Sequence, residues 1–72
     1  MIYTAIIEMY DTSTEAHSMR CSKFRDMPLR DVIANVKKAV AKAHRKADCI
    51  VDAARVQDYD ERVVWRMTSD IE

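Results

Sequence analysis

His17, His44, Cys21 and Cys49 are the side chains with the chemistry of a proton shuttle, a nucleophile or a soft-metal ligand, and their spacing assembles none of these. Nucleophilic catalysis needs a cysteine or serine beside a histidine that a carboxylate orients. Here His17 falls at a turn and His44 near the end of a helix, on its solvent side. Zinc sites show paired ligand spacings, and two histidines with two distant cysteines show none. The acids Asp52, Asp58, Asp60 and Glu61 gather near a hairpin turn, where solvation accounts for them. Glycine is absent, which excludes glycine-rich phosphate loops. The expectation is a protein without catalytic residue, metal or cofactor, and therefore not an enzyme. The cysteines read as reduced, half-buried thiols of a cytosolic protein.

What the sequence does offer is charge in blocks. Lysine plus arginine and aspartate plus glutamate balance at 12 each, but the balance is a cancellation between segments. Residues 1–19 hold Glu8, Asp11 and Glu15 and no Lys or Arg; residues 20–46 hold nine basic side chains against Asp26 and Asp31; the remainder is acidic again. Such segregation predicts a strongly dipolar molecule. Within the basic block, residues 32–46 contain no acid, although a solvated helix face ordinarily mixes Glu with Lys for i,i+4 support.

That block coincides with the element that organises the chain. In residues 28–47 the apolar positions Leu29, Val32, Ile33, Val36, Ala39, Val40, Ala43 and Ala47 recur at three- and four-residue steps, which predicts one amphipathic helix. Burying its five larger aliphatic side chains is worth roughly 7 to 15 kcal/mol gross. Ordering the segment costs about 1 to 2 kcal/mol per residue in backbone entropy, so the helix needs a surface to dock on. Pro28 suits the first turn, and Asp26 before it can cap free N–H groups. Arg45 and Lys46 close the last turn, where cations oppose the helix dipole.

Strands are predicted on either side. Residues 2–10 are β-branched and aromatic, with Tyr3, Ala5, Ile7 and Met9 on one face; residues 11–16 form a polar turn; residues 17–25 form a second strand with Met19 and Cys21 inward. Phe24 breaks that alternation. Residues 49–57 and 62–68 form a third and fourth strand around the turn at 58–61, and residues 69–72 fray. The order β-β-α-β-β predicts a single α+β domain over residues 1–72, a two-layer fold with a four-stranded antiparallel sheet, spatial order 2-1-3-4, and the helix across one face. The expected core is Tyr3, Ala5, Ile7, Met9, Met19, Cys21, Val51, Ala53, Val63, Trp65 and Met67 against the helix stripe. No run approaches the roughly 20 apolar residues of a membrane span.

Two surfaces follow. The helix back presents Lys38, Lys42, Arg45 and Lys46, flanked by Lys37, with Arg20 and Arg25 from the second strand beside them, and calls for a negatively charged partner. The uncovered sheet face is expected to show Ile2, Ile6, Phe24, Ile50, Val56 and Val64 among Arg20, Arg62 and Arg66, a second interface for a target or a homodimer.

In element order, size and segregated charge the whole chain resembles the small inhibitors that bacteriophages and other mobile elements direct against host machinery, anti-CRISPR proteins among them. The opening MIYTAIIE with a later helix is similar to the HicB-like antitoxin domain, without that family's glycine- and proline-rich segment. The first resemblance implies a non-enzymatic inhibitor in the host cytoplasm. It would dock on a host protein or nucleoprotein complex, such as a CRISPR surveillance complex, with its basic residues on a surface meant for nucleic-acid phosphate. The alternatives are a direct nucleic-acid-binding domain and a homodimeric assembly protein.

Overall fold

The computed structural model describes residues 2–68, so the frayed end expected at 69–72 lies outside the described residues. Two hairpins flank one helix: β1 (Ile2–Asp11), β2 (Ala16–Arg25), α1 (Leu29–His44), β3 (Cys49–Gln57) and β4 (Val63–Thr68). The strands form one antiparallel sheet in the order β2-β1-β3-β4, the arrangement expected from the sequence. β1, the most apolar strand, lies inside the sheet. The fold is α+β, with the helix layered on one sheet face.

Val32, Val36 and Val40 form the buried seam of α1 and meet Ala5, Ile7, Val51, Ala54 and Val56 from the two central strands. Val32, Val36 and Val56 are almost fully shielded from solvent. Tyr3, Met9, Phe24, Leu29, Trp65 and Met67 close the margins of this core. The helix is shorter than the periodicity suggests. Pro28 is the N-cap, in extended conformation and without a side-chain capping bond. Its carbonyl accepts the N–H groups of Asp31 and Val32 at 3.0 and 3.1 Å. Asp26 lies outside the first turn with φ 54°. At the far end Arg45 is the C-cap, and the N–H groups of Arg45 and Lys46 donate back three residues to Lys42 and Ala43, tightening the terminus.

Three strand-facing expectations are corrected. In β2, Met19 and Cys21 lie on the open sheet face, and Ser18, Arg20, Ser22 and Phe24 lie on the helix side. Asp11 closes the hairpin opposite Ala16 and the register runs unbroken to Ile2 opposite Arg25, so each odd residue of β1 faces an even residue of β2. Phe24 thus pairs with Tyr3 against the core without any bulge. In β3 a bulge at Asp52 advances the phase by one residue, since Glu8 faces Ala53 while Met9 faces Val51. Val51, Ala54 and Val56 therefore all point inward, and Ala53 points out, the reverse of the expectation for Ala53 and Val56. A second bulge at Val64 sets Val56 opposite Trp65 but Gln57 opposite Val63, which leaves Val63 40% exposed rather than in the core; Val64, expected outside the core, is equally exposed.

With no glycine available, three turn positions take left-handed backbone on other residues: Glu15 (φ 56°), Asp26 (φ 54°) and Glu61 (φ 65°). The turns are braced by carboxylates. Asp11 Oδ1 accepts the Ser13 and Thr14 N–H groups and the Ser13 hydroxyl, and Asp58 Oδ1 accepts the Asp60 and Arg62 N–H groups. The Ser13 hydroxyl, followed by the two backbone N–H groups, holds the Asp11 carboxyl below its ordinary value.

Candidate functional site

α1 packs over β3 and β1 and leaves β2 overhanging at the sheet edge. The step between helix flank and overhang is a groove of about 430 Å³. Its floor is Ile7, Met9, Phe24, Ala39 and Ala43; its rim carries Arg20 and Ser22 from β2 and Asn35, Lys42 and Lys46 from the helix side. No acid lines it. Asn35 is held in place by donating its amide to the Asp31 carbonyl at 2.8 Å. Around the helix from Lys42, a shallower depression of about 330 Å³ is bounded by Lys38, Ala41, Lys42 and Arg45.

Five of the seven basic residues singled out from the sequence thus form one continuous surface: Arg20, Lys38, Lys42, Arg45 and Lys46. All five side chains are exposed. None of them is in an ion pair among the described residues. The other two lie elsewhere. Lys37 is five residues from Lys42, which at about 100° per residue puts it on the far flank of the helix. Arg25 stands on the open sheet face, on the strand opposite Ile2. Arg20 reaches the groove only because β2 faces opposite to the way its alternation suggests. Ser22 and Asn35, which the sequence reading did not select, complete the site with Ala39 and Ala43 of the apolar helix stripe. The closing pair of the hairpin was the available signal, because it couples odd positions of β1 to even positions of β2.

The second expected interface is only partly assembled. Ile2, Ile6 and Arg66 lie on the open face, Val64 occupies the β4 bulge, and Phe24 is on the opposite side as half-buried core. Ile6, the centre of that face, is 8% exposed. Arg55 crosses beside it to donate a hydrogen bond to Glu8 at 2.6 Å, in a partly buried ion pair that ties β1 to β3. Arg55 also stands directly across from Arg66, so Glu8 screens a like-charge cross-strand pair. Met19 (57%) and Ile50 (45%) are the most exposed large apolar side chains here. Tyr10 lies on this face with its ring 4.8 Å from that of His17, and His17 Nδ1 is 3.7 Å from Asp52 Oδ2.

Among the described residues no three His, Cys, Asp or Glu side chains converge as a metal site, and no helix is long and apolar enough to cross a membrane. Cys21 is exposed and Cys49 half-buried, both as free thiols. The turn with Asp11 and Glu15 and the turn with Asp58, Asp60 and Glu61 lie at opposite ends of the sheet, because β3 runs antiparallel to β1 from Asp11 opposite Cys49 to Thr4 opposite Gln57. The molecule is 38 Å long and about half as wide; Arg45 and Lys46 close α1 toward the Asp11 end, where Cys49, whose N–H donates to the Lys46 carbonyl, faces Asp11. No protein-family model, curated protein or solved structure matches this chain.

Proposed function

We propose that the protein is a non-enzymatic docking module, an inhibitor of the type that mobile elements direct at host machinery, and that it attaches to an acidic surface of a host protein or nucleoprotein complex. The observation that carries this reading is the run of Arg20, Lys46, Lys42, Lys38 and Arg45 around an apolar groove that no acid lines. Like charge gathered on one face costs stability unless a counter-charge arrives. A host surface that binds phosphate is itself basic and would repel this face. The partner surface must therefore be the anion, either protein carboxylate or nucleic-acid phosphate. A concave site with an apolar floor suits a protein segment better than a duplex. Stacking on single-stranded bases needs an exposed ring, and the groove's one aromatic, Phe24, is half-buried in the core. A homodimer through the open sheet face is weakened by Ile6, which its own neighbours already cover. A cytoplasmic location in the host follows from the same reading.

The test is affinity capture from a bacterial lysate by the wild-type protein and by Lys38→Glu with Lys42→Glu. Both lysines are exposed, so the fold should survive. The expected result is a partner that is retained after nuclease treatment and lost in the double reversal. Retention by the reversal would return the helix back to an ordinary solvated face. Loss on nuclease treatment, with log K falling about 0.9 per phosphate per decade of salt, would establish direct duplex binding instead.

A further inference from the structure

Among the described residues, the overhang that makes one wall of the groove is also an unpaired strand edge. β2 has ten residues, pairs β1 without a bulge, and contains no proline; β4, the other edge, has six residues and a bulge at Val64. Long regular edges are templates for another strand, and proteins blunt them with bulges, prolines, short length or charge. β2 uses only charge. Arg20, Lys23 and Arg25 with no acid make the strand uniformly positive, which opposes pairing with β2 of a second copy. The same charge attracts a strand of opposite sign.

We infer that the free edge of β2 takes up an extended acidic segment of the protein partner as a fifth strand, with carboxylates at alternate positions hanging into the groove. This deepens the proposed function and rests on it. Side chains of an added strand alternate between the two faces of the sheet. Those on the helix side lie beside Ser22 and Arg20 and face Lys42 and Lys46 across the apolar floor, where carboxylates are favoured. Those on the other side lie beside Met19, Cys21, Lys23 and Arg25, where apolar residues shield Met19 from water and pack along the aliphatic stems of the two cations. The recognised segment alternates acid with apolar residue. Backbone pairing supplies affinity, and the two faces supply specificity.

The probe is a synthetic peptide of alternating glutamate and valine, matched to β2 in length, titrated into the intact ¹⁵N-labelled protein. Binding is expected to shift the amides of β2, Lys42 and Lys46, and to protect from exchange those alternate β2 amides that do not donate to β1. Arg20→Glu and Lys42→Glu should each weaken it roughly tenfold. A peptide with every amide N-methylated keeps the charge but cannot pair, and should lose the protection and most of the affinity. Equal binding by the methylated peptide, or shifts at Lys38, Lys42 and Arg45 without protection in β2, would overturn the added strand while leaving the basic docking face intact. No shift with peptide but shifts with a short DNA duplex would overturn both the added strand and the protein-carboxylate reading.

Discussion

Replacing Glu15 and Glu61 by glycine should make the protein more stable, although each change deletes a side chain. Both residues hold left-handed backbone, at φ 56° and 65°. Among the described residues neither side chain makes a hydrogen bond or ion pair, and the Glu61 N–H bond to the Asp58 carbonyl at 3.0 Å is a backbone bond that glycine keeps. An L-residue there costs about 1 to 2 kcal/mol that glycine does not incur. Against this, glycine gives the unfolded chain extra freedom worth roughly 0.5 to 1 kcal/mol. The net gain is about 0.5 to 1 kcal/mol per site, or roughly 2 to 8 °C in melting temperature for a domain of this size. Removing an acid near Asp58 and Asp60 also relieves repulsion, so the control is alanine, which removes the charge but retains the strained conformation. The assay is thermal unfolding followed by circular dichroism on the wild type, the glycine and alanine variants, and the double glycine variant. The two turns are at opposite ends of the sheet, so the gains should add. Glycine variants no more stable than their alanine counterparts would refute the reasoning.

The Glu8–Arg55 pair can be tested through its neighbour. Glu8→Gln leaves Arg55 and Arg66 facing each other unscreened and should cost about 0.5 to 1 kcal/mol, and Arg66→Gln in the same chain should restore most of it, as read from urea midpoints. The Asp11 carboxyl titrates below its ordinary value chiefly through the Ser13 hydroxyl. A depressed value means that the turn's contribution is present above the ordinary range and is lost as pH falls through the folded value. An NMR titration should show Asp11 moving up toward the ordinary value in Ser13→Ala, and an unchanged value there would remove the hydroxyl as the main cause.

The architecture was legible because it rests on periodicities that survive local irregularity. The aliphatic stripe of α1, the β-branched run of β1 and the turn chemistry of Asp11 and Asp58 each specify an element without reference to its neighbours. Strand order then followed from the helix returning the chain to β1. What was not legible came from facts with no side-chain signature. A bulge adds one residue, and nothing about Asp52 or Val64 marks it as the extra one. In β2 the apolar residues Met19 and Cys21 suggested the inner face, but α1 does not cover that strand, so its inward positions are free to be Ser18, Arg20 and Ser22. The cations of the helix back were readable from spacing alone. Their meeting with Arg20 was not, because it depends on the hairpin register and on how far the helix sits from the sheet edge.

The placing of the two acidic turns at opposite ends of the sheet also bears on how the protein meets its partner in time. An approach that leads with the turn at 58–61 brings Asp58, Asp60 and Glu61 to an anionic surface and is repelled, whereas one that leads with the helix side brings Lys38, Lys42, Arg45 and Lys46 and is attracted. Over a Debye length of about 8 Å at physiological salt, the two ends of a 38 Å body are screened from each other. Each collision is then judged locally, and the fraction that leads to docking is set by whether the groove side happens to face the partner on arrival.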